Sequence, residues 1–365
     1  LVHQIAVIAG DGIGPEVTTE AMATLEAAAP GLFVFNYLPY SADHTLATGT
    51  TISPVELQQI RSQHAAVFVG ALGDPRIPDH RHARDVLLGM RREFDLYINL
   101  RPIRLRAAHH CALKRVPEDG IDFVIFRENT EGLYSGIGGV LHAGTPHELA
   151  LSQMVATRHG TERIVRAAFA CAVTRPRRRC CLVSKHNAVT HAFGLWHAVF
   201  CEVAAEFPEV TTEVLYADTA ALEFVRRPDR FDVVVTSNMV GDILSDLGAQ
   251  LVGGIGLAPS SNIHPDGPRR FGLFEPIHGS APDIAGKAQA NPTGAILAAG
   301  LMAEFCGEVV AAQAMERAIQ QTLASGAATH DLQGHMSSAE FGALVRTNLS
   351  PNIPAPDAGP GQANV

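Results

Sequence analysis

The stretch Asp232–Asp246, DVVVTSNMVGDILSD, limits the possible folds more than any other part of the chain. Val233, Val234, Val235 and Thr236 form the β-branched run of a strand buried on both faces, and from Gly241 the apolar spacing becomes helical. A buried strand that turns directly into a helix predicts an α/β fold, a parallel or mixed sheet covered by helices. Ligands bind such sheets at the carboxyl ends of the strands. Asp242 and Asp246 fall one helical turn apart, so their carboxylates share a face, and no basic residue lies between Val233 and Gln250 to pair with them locally. Such a pair suits a hard divalent cation held through oxygen; a solvated acidic face is the alternative.

The 365 residues allow two domains, and 47% hydrophobic with 18% charged residues is a globular balance. A formal net charge of −9 offers no basic stripe for nucleic acid. The one basic run, Arg175–Arg179, reads as a solvated turn whose cations complement a helix end. Cys111, Cys171, Cys180, Cys181, Cys201 and Cys306 show no Cys-x-x-Cys spacing, which predicts reduced thiols and a cytoplasmic location. With no charged-then-apolar leader and no run long enough for a bilayer, a soluble chain without a membrane partner is expected.

In chain order, a strand at His3–Ala9 leads into GDGIGPE and a helix to about Ala28. The glycines fall as G-x-G-x-G, Pro15 removes an amide, and no acid closes the next strand at Leu32–Tyr37. The segment is therefore no dinucleotide fingerprint but a tight turn bringing backbone close to a ligand by another route. Further expectations are a helix at Pro54–Gln63, a strand at Ala65–Val69, a helix at Arg84–Arg92 and an extended segment at Asp95–Arg104. Arg91 and Arg101 lie in apolar surroundings and either snorkel or fork a dicarboxylate. A strand at Asp122–Phe126 ends in RENTEGLYSG, and Val140–Met154 reads as a hairpin arm reaching toward a partner subunit. A helix follows at Arg158–Thr174, then a strand at Cys180–Ser184, with Lys185-His186-Asn187 where it stops. Lys185 is either a solvated surface residue or a pocket base. A helix at Thr190–Phe207 and a strand at Thr211–Tyr216 put the Asp218 carboxylate at another strand end. Gly253–Pro259 reads as a chain reversal, Phe274–Lys287 as a long functional loop, and Asn291-Pro292-Thr293 as the start of an apolar helix to about Phe305, with two more helices after it. The Pro- and Gly-rich tail, 350–365, is expected to be disordered.

From about residue 3 to 346 the chain resembles the metal-dependent β-decarboxylating 2-hydroxyacid dehydrogenases, the isocitrate/isopropylmalate dehydrogenase family. The strings AGDGIGPEV, REFDLYINLRP, RENTEGLYSG, SNMVGDILSDLG and FEPIHGSAPDIAGK carry the match. The resemblance implies the family's two-domain fold, distinct from a Rossmann fold. Its expected cofactor-binding domain is 1–98 with 253–349; its substrate, metal and dimerisation domain is 99–252, with an arm at about 136–155. It further implies that Arg91, Arg101 and Arg127 bind the malate part of the substrate. Asp242 and Asp246, with Asp218 from the other subunit of a homodimer, would hold Mg²⁺ or Mn²⁺, with K⁺ as an accessory ion. Tyr134 matches the acid and Lys185 the base contributed across the dimer, with Asn187 beside it. Glu275, His278, Gly279, Ser280, Ala281, Asp283 and Asn291 match the cofactor site. Asp283 suits adenosine ribose hydroxyls and would repel a 2′-phosphate, which favours NAD.

Substrate choice is expected to lie in the helix before Arg91. Asp85 stands where isocitrate enzymes place a Ser, and Leu88 where homoisocitrate enzymes place an Arg. Leu87 and Leu88 fit both isopropylmalate and tartrate/D-malate enzymes, whereas IPDHRHARDVLLGMRREFD, SGIGGVLHAGTPHELA and TRHGTERIVRAAFACAVTRPR lean toward the tartrate/D-malate branch. The expected activity is therefore of tartrate/D-malate dehydrogenase type, with 3-isopropylmalate dehydrogenase as the alternative; Arg84 departs from both patterns. A non-catalytic regulatory subunit is disfavoured because Tyr134, Lys185, Asp218, Asp242 and Asp246 are all present.

Overall fold

The computed structural model describes residues 2–349, so the tail at 350–365 lies outside the described residues. The elements are β1 (His3–Gly10), α1 (Gly14–Ala28), β2 (Phe33–Tyr37), α2 (Ala42–Thr48), α3 (Pro54–Gln63), β3 (Ala66–Ala71), α4 (Arg81–Glu93), β4 (Ile98–Arg104) and β5 (Asp122–Glu128). Next come β6 (Gly138–Leu141), β7 (Leu149–Ser152), α5 (Arg158–Thr174), β8 (Arg179–Ser184), α6 (Ala192–Ala204), β9 (Thr211–Tyr216), α7 (Ala217–Arg226), β10 (Val233–Thr236) and α8 (Asn238–Leu251). The chain closes with β11 (Pro259–His264), β12 (Phe271–Pro276), α9 (Thr293–Phe305), α10 (Val309–Ala324) and α11 (Ser338–Thr347).

Ten strands form one sheet in the order β2-β1-β3-β12-β11-β4-β5-β10-β8-β9. β2, β1, β3 and β12 run parallel, as do β5, β10, β8 and β9, while the contacts β12–β11, β11–β4 and β4–β5 are antiparallel. The two parallel halves therefore run in opposite directions and meet in an antiparallel centre. β11 and β12 were not foreseen: residues 260–273 were assigned no element, and Phe274 was read as the start of a loop. Alternation along β1 sends Ile5 and Val7 into the larger core, and Ala6 and Ile8 into a smaller one beneath α3 and α4. Fully burying each such Ile or Val contributes about 1.5–3 kcal/mol. The β6–β7 hairpin is a separate two-stranded unit, and every residue in its strands is exposed.

Local expectations change as well: the helix expected at Thr190–Phe207 is the shorter α6, and α4 begins three residues before Arg84. α8 starts at Asn238, with Ser237 as its cap, three residues before the Gly241 inferred from apolar spacing. Arg175 is no solvated turn residue: it pairs with Asp232 and Asp122, while Arg177 donates to the Asp229 and Asp122 carbonyls. These contacts tie together the starts of the neighbouring interior strands β5 and β10.

Candidate active site

The antiparallel centre puts polar side chains on one face of four neighbouring strands, and buried amides and carboxylates persist there only when they find partners. Glu275 on β12 accepts from Asn262 of β11 at 2.9 Å, Asn262 accepts from Asn99 of β4 at 2.8 Å, and Asn99 accepts from Arg101 Nε at 2.8 Å. Asn129, just after β5, also donates to Asn262, at 3.0 Å. Arg91 enters from α4 and donates to Glu275 at 2.9 Å; Arg127, on β5, donates to Asn238 at 2.9 Å and to Asp242.

α8 closes over this face because Gly241 has no side chain: a Cβ there would lie 2.8 Å from Arg127 Cβ. The close approach presents Asp242, Ser245 and Asp246 to the arginines. Arg101 Nη1 donates to Ser245 at 2.9 Å, and its guanidinium lies 3.7 Å from both Asp242 and Asp246. The two aspartates have no ion partner within their own segment, as the sequence implies, and find Arg101 and Arg127 from distant strands instead. Tyr134 donates its hydroxyl to Asp242 at 3.0 Å. Burial lowers the Arg127 pKa to about 9, with Arg101 and Arg91 adding repulsion. Burial also lowers Arg101 and raises Asp246 and Tyr134, each against or alongside its charged neighbours. Three guanidiniums face three carboxylates, so a dianion entering together with a dication leaves the charge of the site balanced. Arg91 Nε has no hydrogen-bond partner, a vacant donor in keeping with an anionic ligand.

Lys185 and Asp218 lie apart from this cluster. They pair with each other at 2.7 Å, which lowers the Asp218 pKa, and Lys185 opens onto an apolar groove lined by Met154, Val189, Phe193, Met239 and Ile243. Among the described residues, no three His, Cys, Asp or Glu side chains gather to hold a metal ion. One chain thus brings together Asp242 and Asp246 but not Asp218. Those two carboxylates are hard oxygen donors and fit a divalent cation.

The GDGIGPE turn builds the neighbouring loop. Ile13 N donates to the Ser280 carbonyl at 2.9 Å, and a Cβ on Gly12, at φ +57°, would meet that same oxygen at 1.9 Å. Asp11 accepts from Ala42 N, Gly73 N and His82, joining three segments in one buried knot. His278 is buried with its Nε2 unpartnered, an open polar position that fits a bound cofactor. Ser280 is buried, Gly279 and Asp283 are exposed, and Ala281 has φ +40°. Asn291 is already engaged, donating to Asp331 at 3.0 Å and accepting from Thr293 N at 3.0 Å. Leu87 and Leu88 are half-buried on α4, and Asn187 is exposed. Asn99, Asn129, Asn238, Asn262 and Ser245 were missed; an Asn inside an otherwise apolar strand, as in YINLRP, is the signal that would have found the ladder.

The family model described as isocitrate/isopropylmalate dehydrogenase matches residues 4–345. The 3-isopropylmalate dehydrogenase of Thermobifida fusca is 47% identical over 323 residues, covering 88% of this chain and 91% of that one; the enzyme of the same name from Frankia casuarinae is 45% identical over 325 residues, covering 89% and 94%. Among solved structures, an isocitrate dehydrogenase from Methylococcus capsulatus superposes with a TM-score of 0.86 at 35% identity, covering 95% of this chain and 99% of that one. Its fold and its sequence over nearly the whole length agree: the chain belongs to the isocitrate/isopropylmalate dehydrogenase family, the NAD-dependent β-decarboxylating dehydrogenases of 2-hydroxy acids.

Proposed function

We propose that this protein oxidises and decarboxylates 3-isopropylmalate. The observation that carries the reading is the 47% identity, over 91% of its length, to an enzyme named for that substrate. It favours the alternative reading over the tartrate/D-malate assignment, whose three sequence segments gave only a lean. The chemistry of α4 supports it. Leu88 lies three residues before Arg91 on the same face, suiting an apolar substituent next to a bound carboxylate. Asp85 is occupied by Thr51 at 2.7 Å and Arg84 at 3.5 Å.

In this reading Arg91, Arg101 and Arg127 fork the two substrate carboxylates, and Asp242 and Asp246 hold Mg²⁺ or Mn²⁺ together with Asp218 of the partner subunit. Such a cation would supply Lewis acidity at the 2-hydroxyl and NAD the hydride acceptor, with K⁺ as an accessory ion. Lys185 of the partner subunit, once it has left its pair with Asp218 and given its own proton to solvent, takes the hydroxyl proton as a neutral amine, and Tyr134 protonates carbon after CO₂ has gone. Glu275 and the loop His278–Asp283, with Asn291, form the cofactor side. Residues 1–98 and 253–349 are the cofactor-binding domain, and 99–252 the substrate and dimerisation domain. A homodimer is supported by the exposed hairpin, since an isolated two-stranded unit is marginal alone.

The test is NAD reduction with Mn²⁺ or Mg²⁺ and K⁺, comparing 3-isopropylmalate, D-malate and L-tartrate. A kcat/KM for 3-isopropylmalate at least about tenfold above the others is expected. Preference for D-malate or tartrate overturns the reading.

A further inference from the structure

Tyr134 sits on a single 3₁₀ turn, Leu133–Ser135, bounded by Gly132 at φ +82° and Gly136 at φ +79°. A turn this short has almost no internal hydrogen bonding, and left-handed glycines on both sides leave its orientation to outside contacts. Gly132 anchors the start of the turn by pairing with Val155, its N donating to the Val155 carbonyl at 2.9 Å and its carbonyl accepting from Val155 N at 3.3 Å, and the Arg127 guanidinium lies 5.7 Å from the Tyr134 ring centre. Two further contacts hold the phenol hydroxyl and the end of the turn. One is the Tyr134 hydroxyl to Asp242 at 3.0 Å. The other comes from α4, where Arg92 Nη2 donates to the carbonyl oxygens of Tyr134 at 3.1 Å and Ser135 at 3.3 Å. Arg92 is exposed and reaches none of the substrate-facing groups, so it was not among the candidate residues. A cation on the carbonyl end of a helical turn also complements the dipole there. Its neighbour Arg91 points the other way, to Glu275.

We propose that Arg92 is a positioning residue for Tyr134: its guanidinium clamps the two carbonyls that close the turn and so fixes where the phenol points. The inference rests on the reading of Tyr134 as the acid. In that step the Tyr134 O–H bond breaks and a C–H bond forms with the electron pair released by decarboxylation; solvent reprotonates the phenolate. An acid displaced by about 1 Å loses much of its advantage, whereas binding through Arg91, Arg101 and Arg127 is untouched.

The experiment is a cycle of R92M, Y134F and the double variant in the holoenzyme, with R92K as the conservative control and amide hydrogen exchange as a readout independent of turnover. R92M is expected to lower kcat about tenfold with the substrate KM changed less than about twofold, R92K to recover part of the loss, and R92M to add nothing in the Y134F background. Exchange at 133–136 should rise in R92M without ligands and return toward wild type in R92K. Unchanged exchange in this segment, or equal kcat losses from R92M with and without Tyr134, overturns the inference. Wild-type kcat in Y134F overturns the acid assignment instead and leaves the clamp to be judged by exchange. Failure of the wild type on 3-isopropylmalate bears on the substrate reading alone.

Discussion

Asn99 donates its side-chain amide to the Asn262 oxygen at 2.8 Å across the β4–β11 pairing, and both residues are fully buried. The contact links the carboxylate of Glu275 to the guanidinium of Arg101 through two neutral amides, so neither charge faces the core unpartnered. Asn262→Leu is expected to destabilise the protein by about 3 kcal/mol, because Asn99, Asn129 and Glu275 all lose a partner. Urea unfolding checks this, and an unchanged midpoint would show that the ladder is not under such constraint.

Asp246→Asn should weaken Mn²⁺ binding at least about tenfold while the fold is retained, since Asp246 is half-exposed and its nearest ion partner is 3.7 Å away. Titration calorimetry with Mn²⁺ on the unreacted protein measures it. Equal affinity would remove Asp246 from the proposed metal set.

Gly12→Ala should impair the cofactor side before the substrate side. The new methyl would fall 1.9 Å from the Ser280 carbonyl at a φ of +57°, so the loop carrying His278 to Asp283 has to shift. The expected outcome is an NADH dissociation constant raised by about tenfold or more, read by nicotinamide fluorescence, corresponding to about 1.4 kcal/mol.

Ile243 is 63% exposed on α8 and lines the apolar groove onto which Lys185 opens. Ile243→Asp is expected to convert a dimer to a monomer on gel filtration and to abolish turnover, because Lys185 and Asp218 would no longer complete a neighbouring site. An active monomer would contradict the shared-site proposal.

Much of the chain was legible locally. The helices Pro54–Gln63 and Arg158–Thr174 and the strand Thr211–Tyr216 have the bounds their periodicity predicts. GDGIGPE forms the tight turn read from its glycines, and that turn packs on the Ser280 carbonyl. β11 and β12 were missed because PSSNIH and FGLFEP lie between glycine-rich turns and carry polar residues where a buried strand normally has none.

Short-range pattern determined the identity of the elements, the family motifs and the types of group available: arginines, carboxylates, one tyrosine and one lysine. Which of these meet was decided only by tertiary structure. Asn99 and Asn262 are 163 residues apart, and Arg91 and Glu275 are 184 apart. Their contact depends on the antiparallel register at the centre of the sheet and on how closely Gly241 lets α8 approach Arg127. Periodicity reports which face of an element is buried, but the partner across that face is set by strand order and packing distance, which no local window of sequence contains.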